Sequence, residues 1–206
     1  MAAKNFSPAD MTRYRDVTFP PHGEWDSRLR EVACAGLSPS EPLHENAWFT
    51  VWRRGNYYTM EYRQPQVIVL PVVEGRGIVM VRVKRPVLGD TTLELPAGGA
   101  EQDEDPALGA ARELAEEAGI AVSADRLVPM PPLAVSPNRM PKLVYVFRVD
   151  LTQQEFDNRA PHDDEIESVE LVLLDRAAEM IATGKIYVAV PAAIIGAYLL
   201  ARRPPI

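Results

Sequence analysis

Apolar runs of two kinds divide the chain into segments. QVIVLPVV (66–73) and GIVMVRVKR (77–85) flank Glu74-Gly75-Arg76, and the spacing of Val79, Val81 and Val83 is that of a buried sheet strand. KLVYVFRVD (142–150) and SVELVLL (168–174) read as further strands, and RLVPMPPLAVSPNRM (126–140) as a proline-broken strand and loop. TTLELPAGG (91–99) carries Pro96 and two glycines, which allow a sharp turn and close approach of backbone to a ligand. Three segments switch to helical character. Asp105-Pro106 opens one as N-cap and first helical residue, and Gly119 closes it in a left-handed C-cap. Asp175 caps a second, which runs to Thr183 and stops at Gly184. The third spans about 189–202, with Ile194, Ile195, Tyr198 and Leu199 on one face and Arg202-Arg203 at its C-terminal end. Strands interleaved with helices predict an α/β fold, a mixed sheet covered by helices on both sides.

Upstream the pattern is weaker. Residues 1–44 are rich in proline and charge and read as an irregular arm with one short helix over 26–34. AWFTVWRR and YYTMEYR, either side of Gly55-Asn56, form a predicted β-hairpin bearing Trp48, Phe49, Trp52, Tyr57 and Tyr58. This hairpin either caps the domain's own core or serves as a dimerisation element that lends residues to a partner's pocket. The chain accordingly divides into an arm and hairpin, 1–64, and a main domain, 65–206.

Composition narrows the classes. A chain of 206 residues, 47% hydrophobic and 25% charged, is an ordinary globular protein. A net charge of −7 argues against a general nucleic-acid or anionic-membrane binder, but not against a small anionic substrate met by local arginines and metal ions. Cys34 is the single cysteine, which leaves no intrachain disulfide and no thiolate cluster. No apolar signal segment follows Met1, and the apolar run 188–200 contains Pro191 and Gly196 and is too short to span a bilayer. The expected location is the cytoplasm.

The chemistry concentrates in GGAEQDEDPALGAARELAEEAGI, 98–120. Glu113, Glu116 and Glu117 stand at i, i+3 and i+4 and share one helix face. Like charges at that spacing repel, so their convergence makes sense where a cation arrives. Carboxylates and substrate phosphates together suit Mg²⁺ or Mn²⁺. Arg112, four residues before Glu116, can orient that carboxylate with its forked guanidinium. The alternative, a solvated acidic face, leaves the other fixed positions unexplained. Gly98, Glu104, Arg112, Glu113, Leu114, Glu116, Glu117, Gly119 and Ile120 all fit G-x5-E-x7-R-E-L-x-E-E-x-G-I, a chance match on the order of one in a million.

This stretch resembles the Nudix box. The resemblance implies a Nudix α/β/α sandwich and hydrolysis of a nucleoside diphosphate linked to another moiety, with two or three metal ions (Mg²⁺ or Mn²⁺) neutralising the pyrophosphate and positioning water. By match to the motif, the metal ligands are Glu113, Glu117, the neighbouring Glu116 and the Ala97 carbonyl, with Glu104 in support. The lead-in T-L-E-L-P-A-G (92–98) looks like that of ADP-ribose pyrophosphatases and related nucleoside diphosphate sugar hydrolases. Ser136-Pro137 resembles their Ser-Pro-Gly loop, with Asn138 in place of glycine; Asn tolerates a left-handed backbone better than most residues. Arg85 stands where that group often has a substrate-contacting arginine, and Arg63 could reach a partner's pocket.

The acidic loop RAPHDDEIE would supply a base and a further metal ligand. Counting back from Gly184-Lys185-Ile186, which is similar to a family turn, puts Glu165 at the metal-linked position and Asp163 at the base position. Aspartate is one methylene shorter than the usual glutamate, so Asp164 or Glu165 could be the base instead, since a base must come within about 3 Å of its water. The implied protein is a homodimeric pyrophosphatase acting on a small nucleotide substrate, ADP-ribose or a related sugar nucleotide, without nucleic-acid or membrane partners. The alternatives are another nucleoside diphosphate derivative or dinucleotide as substrate, or a non-catalytic ADP-ribose sensor.

Overall fold

The computed structural model describes residues 26–101 and 103–202. Ser40–Glu45 (β1), Phe49–Arg54 (β2) and Tyr57–Tyr62 (β3) form a three-stranded antiparallel sheet ahead of the main domain. The main sheet has seven strands. They are Gln66–Val73 (β4), Gly77–Arg85 (β5), Asp90–Glu94 (β6), Ala97–Gly99 (β7), Val128–Leu133 (β8), Val144–Leu151 (β9) and Ile166–Leu173 (β10). The order β10-β5-β4-β9-β8 forms its spine, with β6 paired to β5 and β7 to β4. Among the described residues only β4 and β9 run parallel, which makes the sheet mixed.

Strand alternation creates two cores. Val67 and Val69 of β4 and Val79, Val81 and Val83 of β5 face one side, where Pro106–Ala118 (α1) contributes Ala107, Ala110, Leu114 and Ala118. Ile68, Leu70, Val72, Ile78 and Met80 face the other. There they meet Ala177 of Leu174–Ala182 (α3) and Ile194 and Ile195 of Ala189–Ala201 (α4). A short helix, Gln153–Asp157 (α2), sits between β9 and β10, opened by a Thr152–Glu155 capping box. Helices thus lie on both faces of a mixed sheet, the α/β/α sandwich the pattern implied. No described helix is long and apolar enough to cross a membrane.

The cues at α1 act as the residues suggest. The Asp105 carboxylate accepts from the Ala107 amide at 2.8 Å. Gly119 takes φ 69° and donates to the Ala115 and Leu114 carbonyls.

The structure departs from the sequence reading in three places. Residues 26–34 hold no α-helix but 3-10 turns at Ser27–Leu29 and starting at Ala33, each too short to propagate. The rest of the arm, 1–25, lies outside the described residues. The hairpin gains a third strand, β1, missed because Pro42 and an exposed face hide the alternation a strand normally shows. Asp175 is not a cap: α3 begins two residues earlier than such a cap would start it, Leu173 occupies the N-cap position, and Asp175 lies in the first turn.

The small sheet is anchored to the main domain by backbone. The Met60 amide donates to the Arg139 carbonyl at 2.7 Å. Inside it, Arg54 donates twice to Glu61 at 2.7 and 2.9 Å and once to the Ser40 hydroxyl at 2.6 Å. Arg54 is nearly enclosed, so this pair needs all its partners.

Leu114 has no exposed surface and joins α1 to the sheet. Leu114→Ala is expected to lower unfolding free energy by about 2–5 kcal/mol through lost burial and a residual cavity, measured by urea unfolding.

Candidate active site

The carboxylates of α1 face the glycine-rich turn that precedes them. Glu113 lies against Gly98 so closely that a Cβ there would stand 2.3 Å from its carboxylate, which explains why the position carries no side chain. Glu117 accepts from the Ala97 amide at 2.9 Å, binding the helix to β7. Arg112 gathers the remainder. Its Nη1 donates to Glu113 at 3.0 Å and Glu116 at 2.8 Å, and its Nη2 donates to the Gly99 carbonyl at 2.7 Å. Glu104 lies 3.7 Å from Arg112 and accepts from the Glu101 amide at 2.7 Å.

Burial disfavours charge on two of these groups. It raises the Glu113 carboxyl, an effect that Arg112 offsets only in part. It pushes Glu117 up to about 7, with the Glu113 charge adding to burial and the Ala97 amide and Arg85 opposing it. Two carboxylates held in place yet short of positive charge fit a hard divalent cation, whose charge would reverse both shifts. Among the described residues, no three acidic, histidine or cysteine side chains already converge on one point, and Arg112 holds Glu113 and Glu116.

The acidic loop is fastened to the end of α1. The Asp163 amide donates to the Glu116 carbonyl at 3.0 Å and the Ala160 amide to the Gly119 carbonyl at 2.8 Å. Gly119 therefore has a second role beyond its cap, because a Cβ there would fall 1.9 Å from the Ala160 oxygen. Asp163, Asp164 and Glu165 are all exposed. Glu165 is close enough for its charge to act on Arg85, as does that of Glu117.

Three other residues are placed differently. Ser136 closes its own loop, its carbonyl accepting from the Arg139 and Met140 amides at 2.9 and 2.7 Å. Asn138 is exposed and is not among the described residues with left-handed backbone, so this turn forms without the glycine-like conformation anticipated for it. Arg63 is bound within the small sheet, donating to the Asn46 carbonyl at 2.8 Å and pairing with Glu45.

Glu94 was not singled out from sequence. It belongs to β6, where Leu93 and Leu95 point into the core beneath α3 and α4, so Thr92 and Glu94 take the opposite face. There Glu94 accepts from Arg85 Nε at 2.7 Å and Nη2 at 3.0 Å, and from the Thr92 hydroxyl at 2.5 Å. Burial pushes its carboxyl up, but the Arg85 and Thr92 bonds outweigh this and hold it below the ordinary value. The available signal was that alternation: a glutamate between two core leucines must lie on the sheet face that carries α1.

The molecule is an α/β/α sandwich whose glutamate-bearing helix packs on a glycine turn. A profile of the NUDIX domain matches residues 62–189, and the chain belongs to that family. It is 33% identical over 121 residues to an ADP-ribose pyrophosphatase of Bacillus subtilis (strain 168), covering 59% of this chain and 64% of that protein. It is 30% identical over 122 residues to a methanol dehydrogenase activator of Bacillus methanolicus, covering 59% and 64%. With the phosphatase NudJ of Escherichia coli (strain K12) it shares 34% over 104 residues, covering 50% and 65%. The matched regions thus span just under two thirds of these relatives. A solved structure described as an ADP compounds hydrolase shares the fold, with a TM-score of 0.61 at 17% identity over 80% of this chain and 90% of that one. Nudix hydrolases generally use divalent metal ions.

The raised Glu117 carboxyl has a consequence for stability. Between its ordinary 4.5 and its folded value of about 7, the folded protein holds a proton that the unfolded chain has released. Stability therefore falls as pH rises through that window, by on the order of 3 kcal/mol at most, and levels off above it. Urea unfolding in chelator should show this slope in the native protein and its loss in Glu117→Gln, which should be the more stable of the two at pH 8.

Proposed function

We propose that the protein hydrolyses the pyrophosphate bond of ADP-ribose or a related nucleoside diphosphate sugar, releasing a nucleoside monophosphate and a sugar phosphate. The observation that carries this reading is the pair of buried carboxylates set against the Ala97–Gly98 turn, Glu113 against Gly98 and Glu117 on the Ala97 amide, with the Arg85 charge acting on Glu117. The ADP-ribose pyrophosphatase similarity supports the substrate class.

Glu113, Glu117, Glu116, Glu165 and the Ala97 carbonyl are the proposed ligands of two or three Mg²⁺ or Mn²⁺ ions. Once bound, such ions neutralise pyrophosphate oxygens and lower the pKa of a coordinated water. Arg112 sets the rotamers of Glu113 and Glu116 through its paired bonds. A carboxylate of the 163–165 loop takes the proton as water oxygen bonds to phosphorus and the bridging P–O bond breaks. Arg85 meets a phosphate with the edge that Glu94 leaves open, and Ser136 and Asn138 border the sugar side. Asp163 is the first choice of base, with Asp164 and Glu165 the other candidates.

The small sheet is proposed to join two copies into a homodimer, with Arg63 toward the partner's substrate; Trp48, Tyr57 and Tyr58 leave it a markedly exposed aromatic surface. A cytoplasmic location and no nucleic-acid or membrane partner complete the proposal.

Glu117→Gln should abolish monophosphate release from ADP-ribose while the circular dichroism spectrum stays unchanged; near-normal turnover at saturating Mg²⁺ would remove Glu117 from the ligand set. Of Asp163→Asn, Asp164→Asn and Glu165→Gln, at least one should lower kcat by more than about tenfold, ~1.4 kcal/mol of barrier. Three mild effects would place the base outside the loop. Light scattering should find a dimer that Trp48→Ala weakens, and a fully active monomer would defeat the interface assignment.

A further inference from the structure

We infer that Glu94 is a positioning residue: it sets the guanidinium of Arg85 for the substrate's phosphate without itself touching substrate or metal. The inference rests on the proposed role of Arg85. Arg85 is nearly half exposed, with a side-chain accessibility of 44%, whereas that of Glu94 is 11%. A half-exposed arginine normally samples several rotamers, each of which must be given up when it binds. Here it is clamped through two parallel bonds, Nε and Nη2 to the two oxygens of Glu94. Such a fork fixes the guanidinium plane as well as its position.

Glu94 is itself fixed. Its Oε1 also accepts the Thr92 hydroxyl, and β6 is held to β5 in register, Val81 opposite Glu94 and Val83 opposite Thr92. Arg85 has the same strand parity as Val81 and Val83, so all four polar and apolar partners occupy the face that carries α1. The clamp occupies the Nε–Nη2 edge of Arg85 and leaves Nη1 without a hydrogen bond to any described residue. That free nitrogen is on the guanidinium whose charge is felt by Glu117 and Glu165. A phosphate received among those carboxylates would find a donor already aimed, and the glutamate behind it would prevent Arg85 from collapsing onto Glu117.

The test is a double-mutant cycle on the full chain, with ADP-ribose kinetics and calorimetric binding of inorganic pyrophosphate as parallel readouts. Glu94→Gln should raise KM for ADP-ribose and weaken pyrophosphate binding by about tenfold, with kcat changed less than about threefold and Mn²⁺ affinity unaltered. Thr92→Val should shift both in the same direction by less. In an Arg85→Ala background Glu94→Gln should add nothing, because its effect passes through the arginine. Additive losses would overturn the inference, and a fall in Mn²⁺ affinity would make Glu94 a metal ligand instead. An Arg85→Ala variant with unchanged KM and pyrophosphate binding would remove the arginine's role and the clamp with it. A native chain inactive on ADP-ribose would defeat the substrate reading alone, since pyrophosphate binding still decides the clamp.

Discussion

Two carboxylates that are costly to bury lie against a backbone that has no side chain to keep them away. Glu113 occupies the space a Gly98 side chain would fill, and Glu117 is tied to the Ala97 amide. Their charge is disfavoured by burial, yet α1 is fixed behind them by Ala107, Ala110, Leu114 and Ala118 in the core. The helix cannot withdraw to relieve the strain of charge without unpacking the sheet. The protein thus holds, in the folded state, an arrangement that becomes favourable when a cation arrives.

Everything else at the site is positioned from that helix or from the strands under it. The N-terminal side of its carboxylate row meets β7, which pairs with β4 at the centre of the sheet. Its C-terminal end holds the acidic loop through the Gly119 and Glu116 carbonyls. Opposite, β5 and β6 deliver Arg85 and Glu94 as a preformed ion pair. Three separate stretches of chain meet here because each is fastened by backbone hydrogen bonds, which are insensitive to the identity of the exposed side chains they carry.

The small N-terminal sheet follows different physics. It has its own enclosed ion pair, Arg54–Glu61, satisfied by Ser40 and Thr59, and exposed aromatic side chains. Its Met60–Arg139 backbone bond links it to the loop containing Ser136.

Local signals were sufficient for α1, for β4, β5 and β9, and for the shared face of Glu113, Glu116 and Glu117. A capped helix and an alternating strand depend on near neighbours, and near neighbours are what a sequence displays. Strand β1 was hidden because its alternation is lost where the strand buries nothing. The start of α3 was misplaced by two residues because Asp175 resembles a cap whichever turn position it takes. The pattern 98–120 by itself determined the helix, its acidic face and the family resemblance. Tertiary structure alone decided that Glu113 would meet Gly98, that Glu94 would lock Arg85, and that Gly119 would leave room for Ala160. Those contacts join residues brought together by sheet register and loop closure, which no local pattern encodes.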